Sequence, residues 1–122
     1  MVAYNFNAQF ADAVEAGRKH QTIRAMGKRR HARAGEQLQL YTGMRTKACR
    51  KLRDAVCHDA CSIQIERDAF WTFKPQELHT GETLERFARA DGFASWPEMR
   101  DWFDRTHGLP LVGVMIRWLV PK

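Results

Sequence analysis

The stretch Leu111-Val112-Gly113-Val114-Met115-Ile116-Arg117-Trp118-Leu119-Val120 is a nearly unbroken apolar run. Gly108 and Pro110 stand before it, and its length predicts a buried strand that closes a sheet. Working back from it, Ser95 and Glu98 form an S-x-x-E capping box for a helix with Met99, Trp102 and Phe103 inward. Thr80 can cap another helix, with Leu84, Phe87 and Ala88 on one face and an end at Gly92. Ala69 to Phe73 reads as a short aromatic strand ended by Pro75. Arg50 to Glu66 alternates imperfectly and predicts a long or bulged strand, or two. Glu36 to Tyr41 alternates Leu38 and Leu40 against Gln37 and Gln39, a strand signature. Val2 to Phe6 reads as a first strand. Asn7 can cap a helix bearing Phe10, Ala13 and Val14, which stops at Gly17. Arg18 to Arg24 reads as a short strand or extended loop, and Ala25 to Gly35 as a basic loop. About six strands and three helices in this order predict an α+β domain with a mixed or antiparallel sheet, a candidate for closure into a small barrel.

The 122 residues are 44% apolar and 28% charged. That predicts one ordered domain over residues 1–122, with an ordinary core. No run reaches the roughly 20 apolar residues of a membrane helix, and the N-terminal residues do not read as a signal peptide. Three cysteines, Cys49, Cys57 and Cys61, are an odd number, which predicts reduced thiols and a cytoplasmic protein. Cys57-His58-Asp59-Ala60-Cys61 lacks the second ligand pair of a structural zinc site, so buried strand cysteines are expected instead.

Net charge is +6 and is unevenly spread. Arg18 to Arg53 holds twelve of the twenty Lys and Arg residues and one acid, Glu36, whereas Asp54 to Asp104 holds eleven of the fourteen acids. A cationic block favours an anionic partner, with nucleic acid foremost.

Two clusters inside that block can carry chemistry. In Gly17-Arg18-Lys19-His20-Gln21-Thr22-Ile23-Arg24, an extended segment projects His20, Thr22 and Arg24 to one side. Lys19 beside Thr22 is a base–nucleophile pair if the lysine loses its proton, which burial and the cations Arg18 and Arg24 promote. In Tyr41-Thr42-Gly43-Met44-Arg45-Thr46-Lys47, Tyr41 can stack on a base while Arg45 and Lys47 hold phosphate or sugar oxygens. Outside the block, Asp91 stands at a helix end, where a carboxylate gains nothing from the helix dipole. It can terminate the helix or meet a cation or a substrate amino group.

Gly17-Arg18-Lys19 followed by Thr22-Ile23-Arg24 resembles the G-x-K-x-x-T-x-R signature of the ASCH (activating-signal-cointegrator homology) superfamily. The order downstream is similar too: a basic loop, Gly35-Glu36-Gln37-Leu38, an Asp91-Gly92-Phe93 turn between helices, and an apolar final strand. The resemblance covers essentially the whole chain. It implies a PUA-like fold, a small β-barrel flanked by helices. One bacterial branch of similar size hydrolyses N4-acetylcytidine to cytidine and acetate with the signature lysine and threonine, which fall on Lys19 and Thr22. The branch's glutamate falls on Asp91, a departure by one methylene, with Glu85 as a more distant substitute. The resemblance further implies a small-molecule nucleoside substrate, no cofactor or metal, and an orienting or oxyanion role for Arg24. Another branch comprises metal-assisted ribonucleases acting on single-stranded RNA, for which Tyr41 and Lys47 are the residues to suspect. A non-catalytic RNA-binding module is the third expectation.

Overall fold

A computed structural model describes residues 2–27 and 29–120; Lys28 of the basic block lies outside the described residues. The order is β1 (Val2–Phe6), α1 (Ala8–Ala16), β2 (Gln21–Ala25), β3 (Gln37–Thr42), β4 (Arg50–Ile65), β5 (Phe70–Thr72), β6 (Glu77–His79), α2 (Glu82–Ala90), α3 (Trp96–Thr106) and β7 (Leu111–Trp118). Among the described residues seven strands, not six, make one mixed sheet; the addition is the short β6, paired with β5. No helix is long and apolar enough to cross a membrane among the described residues.

Strand β4 organises the sheet. Its first half pairs antiparallel with β3, which pairs parallel with β1. Its second half pairs antiparallel with β7, and its last three residues also with β5. Strand β2 is held by β7, with Thr22 opposite Ile116 and Arg24 opposite Val114. Among the described residues no ladder joins β1 to β2, so the sheet is open and not the closed barrel expected from the sequence. The imperfect alternation of Arg50 to Glu66 has a physical cause. The register shifts pass over Leu52 on the β3 side and His58 on the β7 side; the inward phase changes from Leu52 to Cys57, whereas Cys57, Ile63 and Ile65 keep one phase across His58.

The buried residues form one cluster, with Tyr4, Leu38, Leu40, Ile63, Ile65, Met99 and Ile116 among the most enclosed. Helix α1 buries Phe10, Ala11 and Val14 and ends at Gly17 in the left-handed conformation. Two expected caps are corrected. Asn7 makes no side-chain capping bond, and α2 starts from Gly81 with none from Thr80. Ser95 does cap α3, its Oγ accepting from Glu98 N at 3.3 Å. The Glu85 carboxylate adds a second acceptor, taking a bond from Trp96 N at 3.3 Å. Both satisfy first-turn amides that have no partner inside the helix. Phe10, Phe93, Trp102 and Phe103 make edge-on and tilted contacts at centroid distances of 4.9–6.2 Å, joining α1 to α3. Of the cysteines only Cys57 is fully buried; Cys61 is partly so and Cys49 is exposed. Cys49 lies before β4 begins, in a turn that gives it no sheet to face.

Candidate functional site

The segment after α1 is fixed by its backbone. Lys19 N donates to Ala13 O, His20 N to Ala90 O, and Trp118 N to His20 O, at 3.0, 3.2 and 3.0 Å. Residues 19 and 20 are thereby tied to α1, to the end of α2 and to β7. Lys19 is then directed inward and is 3% exposed. Its Nζ lies 5.0 Å from the Phe10 ring centroid and 5.7 Å from that of Phe6.

The partner comes from the end of α2. Asp91 is the C-cap, and Gly92 follows with φ +94°. A Cβ on Gly92 would stand 2.9 Å from Lys19 Cδ, so this turn needs glycine both for its backbone and for the lysine stem beside it. Lys19 Nζ donates to the Asp91 carbonyl and lies 3.4 Å from Asp91 Oδ1. Gln21 Nε2 donates to the same Oδ1 at 3.2 Å.

Burial sets the protonation of this pair. Loss of solvent pushes Lys19 below the ordinary lysine range; Asp91 pulls it back and Arg24 pushes it lower still. Loss of solvent likewise pushes Asp91 up, against the pull of Lys19, Gln21 and Arg24. Burial therefore disfavours the charged form of both groups, while each favours the charged form of the other.

Thr22 lies beside the pair at the start of β2, and its Oγ1 accepts from Arg24 Nε at 3.1 Å. Arg24 also donates through Nη2 to Asn5 O at 2.8 Å, and its guanidinium lies 5.1 and 5.0 Å from the Tyr4 and Phe6 ring centroids. Lys19, Thr22, Arg24 and Asp91 line one cleft of about 170 Å³ together with Asn5, Phe6, Phe10, Phe93, Trp102 and His107. The cleft thus carries a hydroxyl, a buried amine, a buried carboxylate and a guanidinium against aromatic walls. That set can attack, protonate and stabilise charge on a small planar ligand.

Four expectations need adjusting. His20 does not join Thr22: it precedes the strand and lines a separate cavity behind β2. Arg18 is exposed, and Arg24 is the cation that acts on Lys19. Lys19 bonds to Asp91 and not to the Thr22 hydroxyl. Tyr41, Arg45 and Lys47 do not line the cleft; Tyr41 is half-buried on β3, and Arg45 and Lys47 are exposed. Their loop touches the cleft wall through Asn5, whose Oδ1 accepts from Met44 N at 2.9 Å.

Sequence reasoning missed Gln21, Trp102 and His107 as members of this neighbourhood. Alternation along β2 assigns Gln21 to the face away from Thr22, and nothing local shows that Asp91 lies within its reach. Among the described residues, no group of three or more His, Cys, Asp or Glu side chains gathers where a metal could be held. Comparison with protein-family models, curated proteins and solved structures finds no match for this chain.

Proposed function

We propose that the protein is an amidohydrolase that removes the acyl group from N4-acylated cytosine nucleosides, with Thr22 as nucleophile and Lys19 as base, and that it is a PUA-like member of the ASCH superfamily. The observation that carries this reading is the convergence of Lys19, Thr22, Arg24 and Asp91 on one cleft from three separate parts of the fold.

In the first step Thr22 Oγ1 bonds to the acyl carbon and its proton passes to neutral Lys19 Nζ. Arg24, already within hydrogen-bond distance of Oγ1, faces the negative charge that develops on the acyl oxygen. The bond from acyl carbon to N4 then breaks, and the cytosine amine leaves with a proton supplied through Lys19 and Asp91. Water next attacks the threonyl ester and gives a proton to the same pair; the bond from acyl carbon to Thr22 Oγ1 breaks, Oγ1 takes that proton back, and the carboxylic acid is freed. Apo active sites are often looser than the reacting complex, and the reading requires Lys19 to move from the Asp91 carbonyl toward Thr22, which lines the same cleft.

The test is release of cytidine from N4-acetylcytidine by the purified protein, with and without EDTA. The expected result is turnover in both, abolished by Lys19→Ala or Thr22→Ala. No release by the unsubstituted protein, or full turnover by folded Thr22→Ala, overturns the proposal. EDTA-sensitive degradation of single-stranded RNA would instead favour a nuclease, and salt-sensitive RNA affinity without either activity a binding module.

A further inference from the structure

We infer that Gln21 is the positioning residue of this cleft: its buried side-chain amide fixes the Asp91 carboxylate so that one oxygen is held by protein donors and the other is left for the ligand. The inference rests on the reading of Lys19, Thr22 and Asp91 as the reacting groups.

Gln21 is 3% exposed. A glutamine side chain buried so fully must find polar partners, because an unpaired amide in an apolar interior is costly. Its Nε2 finds Asp91 Oδ1 at 3.2 Å, the oxygen that also lies 3.4 Å from Lys19 Nζ. Oδ1 therefore accepts from Gln21 and lies at ion-pair distance from Lys19, and Oδ2 has no protein donor among the described residues. Gln21 does not itself line the cleft. It lines the separate cavity of about 510 Å³ behind β2, with His20 and Phe87. Its side chain is thus part of the partition between the two spaces and acts on the reaction only through Asp91.

The support under Gln21 is rigid. Its backbone is opposite Arg117 in the β2–β7 ladder, so the base of the side chain is set by sheet pairing and not by a loop. An amide also suits the task chemically: it donates to a carboxylate without adding charge beside Lys19. The charged groups facing Asp91 are Lys19 and Arg24, and His107 lines the same cleft. Gln21 is the neutral donor in this set. Its bond favours the ionised carboxylate and works against the upward push of burial.

The experiment is Gln21→Met, which keeps length and burial but removes the donor. The expected result is a fall in kcat of about tenfold or more with KM changed by less than about twofold. The acid limb of the kcat profile should move to higher pH, and carbon NMR of the Asp91 carboxyl should titrate higher than in the unsubstituted protein. A folded Gln21→Met protein with unchanged kcat profile and unchanged Asp91 titration overturns the inference. Should that variant not fold, the unsubstituted protein decides the matter: the Gln21 side-chain amide signals should shift in step with Asp91, and signals indifferent to that titration refute the inference. Failure of the functional reading is separate. It shows as no cytidine release by the unsubstituted protein, while both NMR measurements still determine whether Gln21 holds Asp91.

Discussion

Lys19–Asp91 and Lys51–Asp54 are the same two residue types in two surroundings. The second pair has the better distance, 2.7 Å against 3.4 Å. It is nevertheless the weaker feature, because its side chains are 42% and 69% exposed and water screens them, whereas those of the first pair are both 3% exposed. The direction of titration separates them further: the exposed lysine is pushed up by its acid, and the buried one is pushed down by desolvation despite its acid. Dielectric, more than distance, decides what an ion pair does. The exposed pair decorates a strand, while the buried pair stores chemistry at a cost to stability.

The largest test of this contrast is Asp91→Ala. Removing one partner leaves a buried amine uncompensated, and the expected loss is about 3 kcal/mol, read as the midpoint of denaturant unfolding. Replacing both partners, Lys19→Met with Asp91→Leu, should recover much of that loss while abolishing the proposed release of cytidine. If the single variant loses less than about 1 kcal/mol, the pair is not desolvated as described.

Gly92→Ala comes next, at about 2 kcal/mol, since its φ disfavours a side chain and the new methyl would meet the Lys19 stem. Activity should fall along with stability, because the lysine must shift; unchanged turnover would separate the turn from the site.

A third effect is the pH dependence. Between the lowered value of folded Lys19 and the ordinary 10.5, the unfolded chain binds a proton that the folded chain does not, so this group makes stability rise with pH through that window. Asp91 acts oppositely. Above the ordinary 3.8 and below its raised folded value the folded chain keeps the proton, so stability falls as pH rises there. From neutral to alkaline pH the unfolding midpoint of the unsubstituted protein should rise relative to that of Lys19→Met through the first window; parallel curves would contradict it.

Glu36 gives a smaller and opposite case. Arg30 grips it with two bonds of 2.7 and 2.8 Å and Arg33 N donates to it, which holds its carboxyl down at about 2 against an ordinary 4.5. The stability it contributes is complete above 4.5 and disappears as pH falls through about 2. The difference in midpoint between the unsubstituted protein and Glu36→Gln should therefore close over that acid range. The smallest effect is Lys51→Ala, for which any change in midpoint should vanish in about 1 M salt.

Much of this organisation was legible from residue patterns. Leu38 and Leu40, Met99 and Phe103, and the run from Leu111 each announced a buried face, because burial repeats with the period of the element. Gly17 announced a helix end, since it tolerates the left-handed turn. The openness of the sheet was not legible, since closure depends on the pairing of distant edges. Strand β6 was also hidden: Glu77 and Leu78 are exposed and His79 only half-buried, which gives no apolar alternation to detect. At the site, Lys19, Thr22, Arg24 and Asp91 stood out as residue types in a pattern. Gln21 did not, because its partner is seventy positions away along the chain.

Among the described residues strand β2 has one ladder partner, β7, and the contact is close enough that a Cβ on Gly113 would come within 2.4 Å of the Arg24 carbonyl oxygen. The consequence concerns the order of events during synthesis. The β1–β3–β4–β5 portion of the sheet can pair before β7 leaves the ribosome, but the strand that carries Thr22 and Arg24 has nothing to zip onto until then. Because non-local pairings of this kind form slowly, the cleft should be among the last parts of the molecule to mature, and a nascent chain should be largely folded before the cleft is complete.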